Sequence, residues 1–255
     1  MTQGEKTEQF HALHSAGSPL VLFNAWDAGS AKAVAAAGAR AIATGSWSVA
    51  AAFGYPDGEK MPFALVIENL KRIVAQVELP VTIDLESGYG PAPADVAAAV
   101  ESAIRAGAIG CNLEDSFPET GALRPVQEQA DRIAAARAAA TALSLPFFIN
   151  ARTDVFLIAP ASTHDEAKVA EAIRRAQAYA QAGASGLFVP GLADKELIAL
   201  LVARSPLPVN IMATGTTPSL REMAALGVAR VSHGGGPYRQ MMNALEESAR
   251  AAMAR

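Results

Sequence analysis

Disulfide chemistry is out of reach for this chain, because Cys111 is the sole cysteine among its 255 residues. A solitary thiol cannot staple a fold internally, which is compatible with a reducing compartment. Charge is sparse too: 18% of residues are charged and the formal net charge is −4. That balance offers no basic surface for nucleic acid or for an anionic membrane. No apolar run reaches the roughly 20 residues that span a bilayer, and the polar start Met1–Lys6 does not read as a secretory leader. The expectation is a cytoplasmic protein with neither nucleic acid nor membrane as a partner. There is no linker, charge run or low-complexity break either, so residues 1–255 read as one domain.

What is abundant is apolar sequence, at 51%. It is cut into eight short runs, at 20–24, 41–45, 81–84, 109–113, 147–151, 186–190, 208–212 and 228–232. Between them lie Ala-rich stretches with helical spacing, such as Ala31–Ala37, Ala94–Ala106, Pro125–Ala142, Asp165–Ala182 and Asp194–Ala203. Strand and helix in alternation imply parallel βαβ units. Eight such units in this length predict an α/β fold, a single-domain (β/α)8 TIM-type barrel. Gly38, Gly107, Gly183 and Gly227 follow helical stretches as stop signals. Thr163-His164-Asp165-Glu166 reads as a capping box. Residues 52–60 read as a loop in the longest gap, between the second and third strands.

Active sites of such barrels sit at the C-terminal strand ends, and polar residues crowd there in this chain. The third run ends Asp84-Leu85-Glu86 and the fourth Glu114-Asp115. Alternation along a strand puts Asp84 and Glu86 on one face. Paired carboxylates are costly without a cation between them, and a hard divalent ion such as Mg²⁺ is the simplest one to supply. Arg152, after the fifth run, suits bidentate binding of a substrate carboxylate. Thr44-Gly45-Ser46-Trp47, Asn210 and His233 end other runs. His233 reads equally as a site residue or as a satisfied buried histidine, and Cys111 reads as a small buried side chain.

The ordered set Thr44–Ser48, Gly54-Tyr55-Pro56-Asp57, residues 83–90 (IDLESGYG), 112–115 (NLED) and 150–154 (NARTD) resembles the isocitrate lyase/phosphoenolpyruvate mutase superfamily over nearly the whole chain. The resemblance implies a carbon–carbon lyase of that type, acting on a 2-oxo acid or enolpyruvate with Mg²⁺, or Mn²⁺ in its place. By the same resemblance Asp84 and Glu86 are the metal carboxylates, and Asp57 contacts the metal shell. Glu114 orients metal-bound water. Gly45, Ser46 and Trp47 form the turn whose backbone N–H groups hold the substrate carboxylate, and Arg152 holds the ketone oxygen or a carboxylate. Asn210 and His233 complete the substrate contacts.

The chain departs from the superfamily in two places. The lyase lid segment, whose cysteine is the general acid, is replaced by residues 116–125 (SFPETGALRP), with no cysteine, lysine or histidine. Pro190 stands where the cleaving lyases have a glutamate. Decarboxylation of a β-keto acid needs an electron sink and no general base, whereas retro-aldol cleavage needs both base and acid. The sequence therefore predicts Mg²⁺-dependent, oxaloacetate-type decarboxylation through a metal-stabilised enolate, or weak 2-hydroxy-acid cleavage. The alternatives are a phosphonopyruvate- or phosphoenolpyruvate-type mutase or hydrolase, or a slow 2-oxo acid binder. Residues 116–125 are expected to close over the site, flexing at Gly121, with Glu119 and Arg124 available to a distal carboxylate. The superfamily's exchanged C-terminal helix, here about 237–254, implies a homo-oligomer, a dimer or tetramer.

Overall fold

The computed structural model describes residues 1–254. Each apolar run forms a strand: β1 Leu20–Leu22, β2 Ile42–Ala43, β3 Val81–Asp84, β4 Gly110–Glu114, β5 Phe148–Arg152, β6 Gly186–Val189, β7 Val209–Met212 and β8 Arg230–Ser232. All pair in parallel in the order β1-β8-β7-β6-β5-β4-β3-β2. A bridge between Ala25 and Thr44 closes the ring, with Ala25 N–H donating to the Ala43 carbonyl at 2.8 Å. The result is a single α/β domain with a (β/α)8 barrel. Register aligns Asp84 with Asn112, Asn112 with Asn150 and Glu114 with Arg152, and Asn210 with Arg230.

The helices are α1 Gln3–Ala12, α2 Ala28–Ala36, α3 Ser46–Ala52, α4 Phe63–Val74, α5 Pro93–Arg105, α6 Val126–Ala142, α7 Glu166–Gln181, α8 Lys195–Arg204, α9 Leu220–Ala225 and α10 Gly236–Met253. Alanine lets α5 and α6 lie close together over the strands, with Ala99, Ala103, Ala136 and Ala140 all buried. Gly38, Gly107, Gly183 and Gly227 each sit two residues past a helix end with φ between 83° and 99°, the left-handed turn that frees the last carbonyls for capping. Helix α4 was not among the helices expected, although Val66, Leu70 and Ile73 recur on its buried face. The expected capping box at Thr163 is displaced. Residues Ala161–Thr163 form a 3₁₀ turn, and Asp165 caps α7 by accepting from Lys168 N–H at 3.0 Å.

The two ends of the barrel are finished differently. Helix α1 plugs the N-terminal end: Phe10 meets the Phe148 ring edge to face and His14 stacks on it, and the Gln3 side chain donates to the carbonyls of Ile104 and Ala108 at 2.8 Å each. The C-terminal end stays open as a mouth. Helix α10 buries only Pro237 among its described residues, leaving Met241 and Leu245 exposed. Among the described residues no helix is long and apolar enough to cross a membrane.

Candidate active site at the barrel mouth

Strand β3 stops at Asp84, so Glu86 lies beyond it and the alternation that put both carboxylates on one strand face does not hold. Glu86 instead occupies the left-handed region at φ 50°, followed by Gly88 and by Tyr89 at φ 56°. Non-glycine residues held there are strained, and such strain persists only where neighbours over-determine it. The neighbours are on view. Glu86 Oε2 accepts from Gly58 N–H at 2.9 Å and Glu59 N–H at 2.6 Å, and Oε1 accepts from the Tyr89 hydroxyl at 2.9 Å. Glu59 answers by accepting from Ser87 Oγ at 2.7 Å and Tyr89 N–H at 2.8 Å. From behind, the buried Arg132 of α6 donates to the carbonyls of Pro91 at 2.6 Å, Gly90 at 3.0 Å and Ser87. The turn after β3 and the 52–60 loop are thus laced into one unit carrying Asp57, Asp84 and Glu86.

Arg152 is the guanidinium inside this acidic mouth. Its fork donates to Asp154 at 2.6 and 3.0 Å, and Nη1 lies 2.8 Å from Glu114 Oε2. Burial disfavours its charge, but Glu114 and then Asp154 outweigh burial and hold it protonated. Asp154 is held in turn by Asp115, which is fully buried. The Asp115 carboxyl accepts from Asp154 N–H at 3.0 Å, Arg175 at 2.9 Å and the Tyr179 hydroxyl at 2.8 Å. Burial, then the charge of Asp84, raises Asp57 and pushes Glu86 up to about 7. Burial likewise raises Glu114 against the pull of Arg152.

A cavity of about 120 Å³ opens between these groups, lined by Asp57, Asp84 and Arg152 and by the apolar side chains of Leu157, Phe188, Pro190 and Met212. This is space for an acid of a few carbons, well short of the several hundred Å³ of a drug-sized pocket. Gly45, Ser46 and Trp47 line it as well. Ser46 N–H is already spent on Asp84 Oδ2 at 3.1 Å, so of the two amides expected to hold a carboxylate Trp47 is the one not taken by Asp84. Trp47 lies against Gly235 so closely that a Cβ there would come within 2.6 Å of its ring.

Glu86, Asn210 and His233 are not in the cavity wall. Asn210 is buried beneath it, accepting from Ser232 Oγ at 3.2 Å, and the His233 ring turns onto Phe23 at 5.2 Å. The backbone of His233 and Gly234 serves the site instead, donating to Asn24 Oδ1 at 3.1 and 2.9 Å. Asn24, Asn112, Ser232 and Asp154 belong to the site and were not among its expected residues. Asn24, Ser232 and Asp154 were signalled by a polar side chain at or just past a strand's C-terminal end, and Asn112 and Asp154 by their place in the 112–115 and 150–154 motifs.

Residues 116–125 form a closed hairpin rather than an open lid. Phe117 N–H donates to the Ala122 carbonyl at 2.9 Å, and Ser116 Oγ donates to Asp154 at 2.8 Å. Glu119 is exposed. Arg124 is buried, bonded to Glu128 at 2.6 Å and set over the Phe117 ring. Neither is placed to meet a distal carboxylate. Cys111 is fully buried in β4, so no thiol reaches the mouth.

A family model described as phosphoenolpyruvate phosphomutase matches residues 10–253. A solved structure from Burkholderia cenocepacia J2315, provisionally named a phosphonomutase, is 58% identical with a TM-score of 0.97, covering 98% of this chain and 100% of that one. The 2-methylisocitrate lyase of Escherichia coli K12 is 31% identical, over 93% of this chain and 81% of its own. A phosphonopyruvate hydrolase solved with oxalate and Mg²⁺ is 26% identical, with a TM-score of 0.84 over 98% of this chain and 87% of that one. With a barrel fold and these likenesses over nearly its whole length, the chain belongs to the isocitrate lyase/phosphoenolpyruvate mutase superfamily.

Proposed function

We propose that the barrel mouth binds a small 2-oxo acid beside Mg²⁺ or Mn²⁺ and stabilises its enolate form. The observation that carries this reading is a cavity for a few-carbon acid with Asp57 and Asp84 in its wall beside Arg152. Asp57, Asp84, Glu86, Glu114 and Asp154 outnumber the guanidiniums of Arg152 and Arg230 in a buried place, which suits a hard cation. Among the described residues no three acidic, histidine or cysteine side chains converge into a cage. Mg²⁺ commonly keeps several waters and takes one or two carboxylates, so the residues fit a hydrated ion. Asp84 would hold it, with Asp57 and Glu114 directing its waters. Glu86 already accepts three hydrogen bonds and would act through water. An ion so held would polarise the oxygens of the 2-oxo acid.

The residues divide the remaining work. The Gly45–Trp47 turn receives the substrate carboxylate through the Trp47 amide. Arg152, pinned by Asp154 and Glu114, presents fixed positive charge where negative charge develops, without reorganising during the reaction. The apolar wall of Leu157, Phe188 and Met212 keeps water from the reacting carbon.

Two reactions fit this core. The family model and the 58%-identical structure favour the phosphonopyruvate- or phosphoenolpyruvate-type mutase or hydrolase. The hairpin 116–125, which brings no acid–base side chain to the mouth, favours carbon–carbon chemistry limited to oxaloacetate-type decarboxylation. Rates on phosphonopyruvate, oxaloacetate and methylisocitrate, measured side by side with Mg²⁺ and corrected for spontaneous decay, separate them. Turnover of one of the first two is expected, and its loss on adding chelator. Fastest turnover of methylisocitrate, or full activity in a metal-stripped sample, overturns the reading. Binding of 2-oxo acids without any turnover would mark the chain as a binder.

The α10 helix supports a homo-oligomer. Its Met241, Met242 and Leu245 face an apolar groove of about 930 Å³ shared with Val21, Phe23 and Val34. A second copy of this chain, exchanging α10, is the occupant that matches such a surface.

A further inference from the structure

Beneath the cavity lies a guanidinium for which the site described so far has no use. Arg230, in β8, is completely buried. Among the described residues no carboxylate lies within ion-pair distance of it. Its Nε donates to Ser232 Oγ at 3.2 Å and its Nη2 to Asn112 Oδ1 at 3.3 Å, while Nη1 has no partner. A buried arginine without a carboxylate is expensive. Both of the groups it holds, Asn112 and Ser232, line the cavity.

The consequence for Asn112 is geometric. Its Oδ1 accepts twice, from Arg230 and from Asn150 Nδ2 at 2.9 Å. Two donors on one atom fix which end of the carboxamide is oxygen, a choice that is otherwise ambiguous. The Asn112 Nδ2 has no acceptor in the protein, yet it is not among the sealed-off buried atoms. It therefore faces the cavity as a donor. Gly186 protects the arrangement from the side, since a Cβ there would come within 2.8 Å of Asn150 Oδ1.

We propose that Asn112 is a substrate-binding residue, donating from Nδ2 to an anionic oxygen of the 2-oxo acid, and that Arg230 is the positioning residue that holds its carboxamide in that orientation. This inference rests on the 2-oxo acid reading of the site. Arg230 also adds a positive charge beneath the anion, through the same Asn112 that pairs in register with Asp84. A lysine could not bond Ser232 and Asn112 together from one planar fork.

The test is calorimetric titration with oxalate, a planar dianion that mimics the enolate of a 2-oxo acid, in the presence of Mg²⁺. Asn112→Asp is the decisive variant. An aspartate keeps an oxygen for Arg230 and gains an ion pair with it, so a purely structural role predicts equal or higher Tm and no greater loss of oxalate affinity than Ser232→Asp, which puts the same charge in the same cavity wall. The binding role predicts equal or higher Tm with at least about a tenfold loss of affinity beyond that of Ser232→Asp, because the donor is lost as well. Arg230→Gln should cost about tenfold as well. If that variant does not fold, Asn112→Asp still decides. An affinity in Asn112→Asp no lower than that of Ser232→Asp overturns the inference while leaving the 2-oxo acid reading standing. Absence of oxalate binding to the wild-type protein overturns both.

Discussion

At the scale of single residues, the mouth works by assigning each polar group to a partner before any ligand arrives. Arg152 shows this best: its planar fork meets Asp154 twice and Glu114 once. Hydrogen bonds to charged groups are worth about 1.5–3 kcal/mol each, and their geometry depends on the guanidinium plane. Arg152→Lys keeps the charge and loses the plane. We expect its oxalate affinity with Mg²⁺ to fall at least tenfold while circular dichroism stays that of the wild-type protein. Unchanged affinity would show that Arg152 is only an ion-pair partner of its neighbours. The bidentate geometry was legible from the chemistry of arginine, but that two carboxylates of this chain already fill the fork was not. Asp154 follows Arg152 by two residues, but spacing does not say that Glu114 of the neighbouring strand takes the fork's other arm.

At the scale of elements, the two ends of the barrel are built for different tasks. The mouth concentrates charge, while α1 seals the base with apolar and aromatic contact. His14 belongs to that seal. Its Nδ1 donates to the Phe10 carbonyl at 2.8 Å, its Nε2 is buried without a partner, and its ring stacks on Phe148. Burial first, then the nearby Arg230 charge, depresses its pKa to about 3. The unfolded chain takes a proton on this ring near pH 6.5, and the folded chain resists until about pH 3. Over that window the unfolded state binds more protons, so stability falls as pH falls, by up to about 1.4 kcal/mol per unit from this group. His14→Leu should be less sensitive: urea midpoints at pH 7 and pH 5 should draw closer together than in the wild-type protein. An unaltered gap would mean that His14 is not the titrating group. The position of His14 close to the N-terminus carries no sign of this burial. What it could not convey is that α1 folds under the barrel, since that packing depends on Phe148, more than a hundred residues away.

For the whole molecule, the open question of assembly turns on α10. An 18-residue helix burying one residue has little to hold it in place on its own barrel, because helix stability in proteins comes mostly from a packed apolar face. Met241 is 48% and Leu245 63% exposed. We expect light scattering to report a dimer or tetramer for the wild-type chain and a 26.3 kDa monomer for the double variant Met241→Lys, Leu245→Lys, because two buried ammonium groups would have no partner. The same mass for both proteins would remove α10 from the assembly.

Some of this protein was written locally. Eight apolar runs separated by alanine-rich helical spacing determined the barrel, because strand and helix periodicities are properties of neighbours in sequence and parallel strands need crossovers. The position of the site followed, since acids ending β3 and β4 must meet at one rim. Tertiary structure decided the rest. It moved Glu86 off the strand and into the grip of Gly58, Glu59 and Tyr89, and it turned the His233 ring away from the cavity. Residues 116–125 became a hairpin tied to Asp154. A buried arginine from the last strand came to lie under an asparagine from the fourth. Each of these depends on contacts between segments far apart in the chain, and on which polar atoms remain unpaired once the barrel has closed. Spacing along a sequence carries neither kind of information.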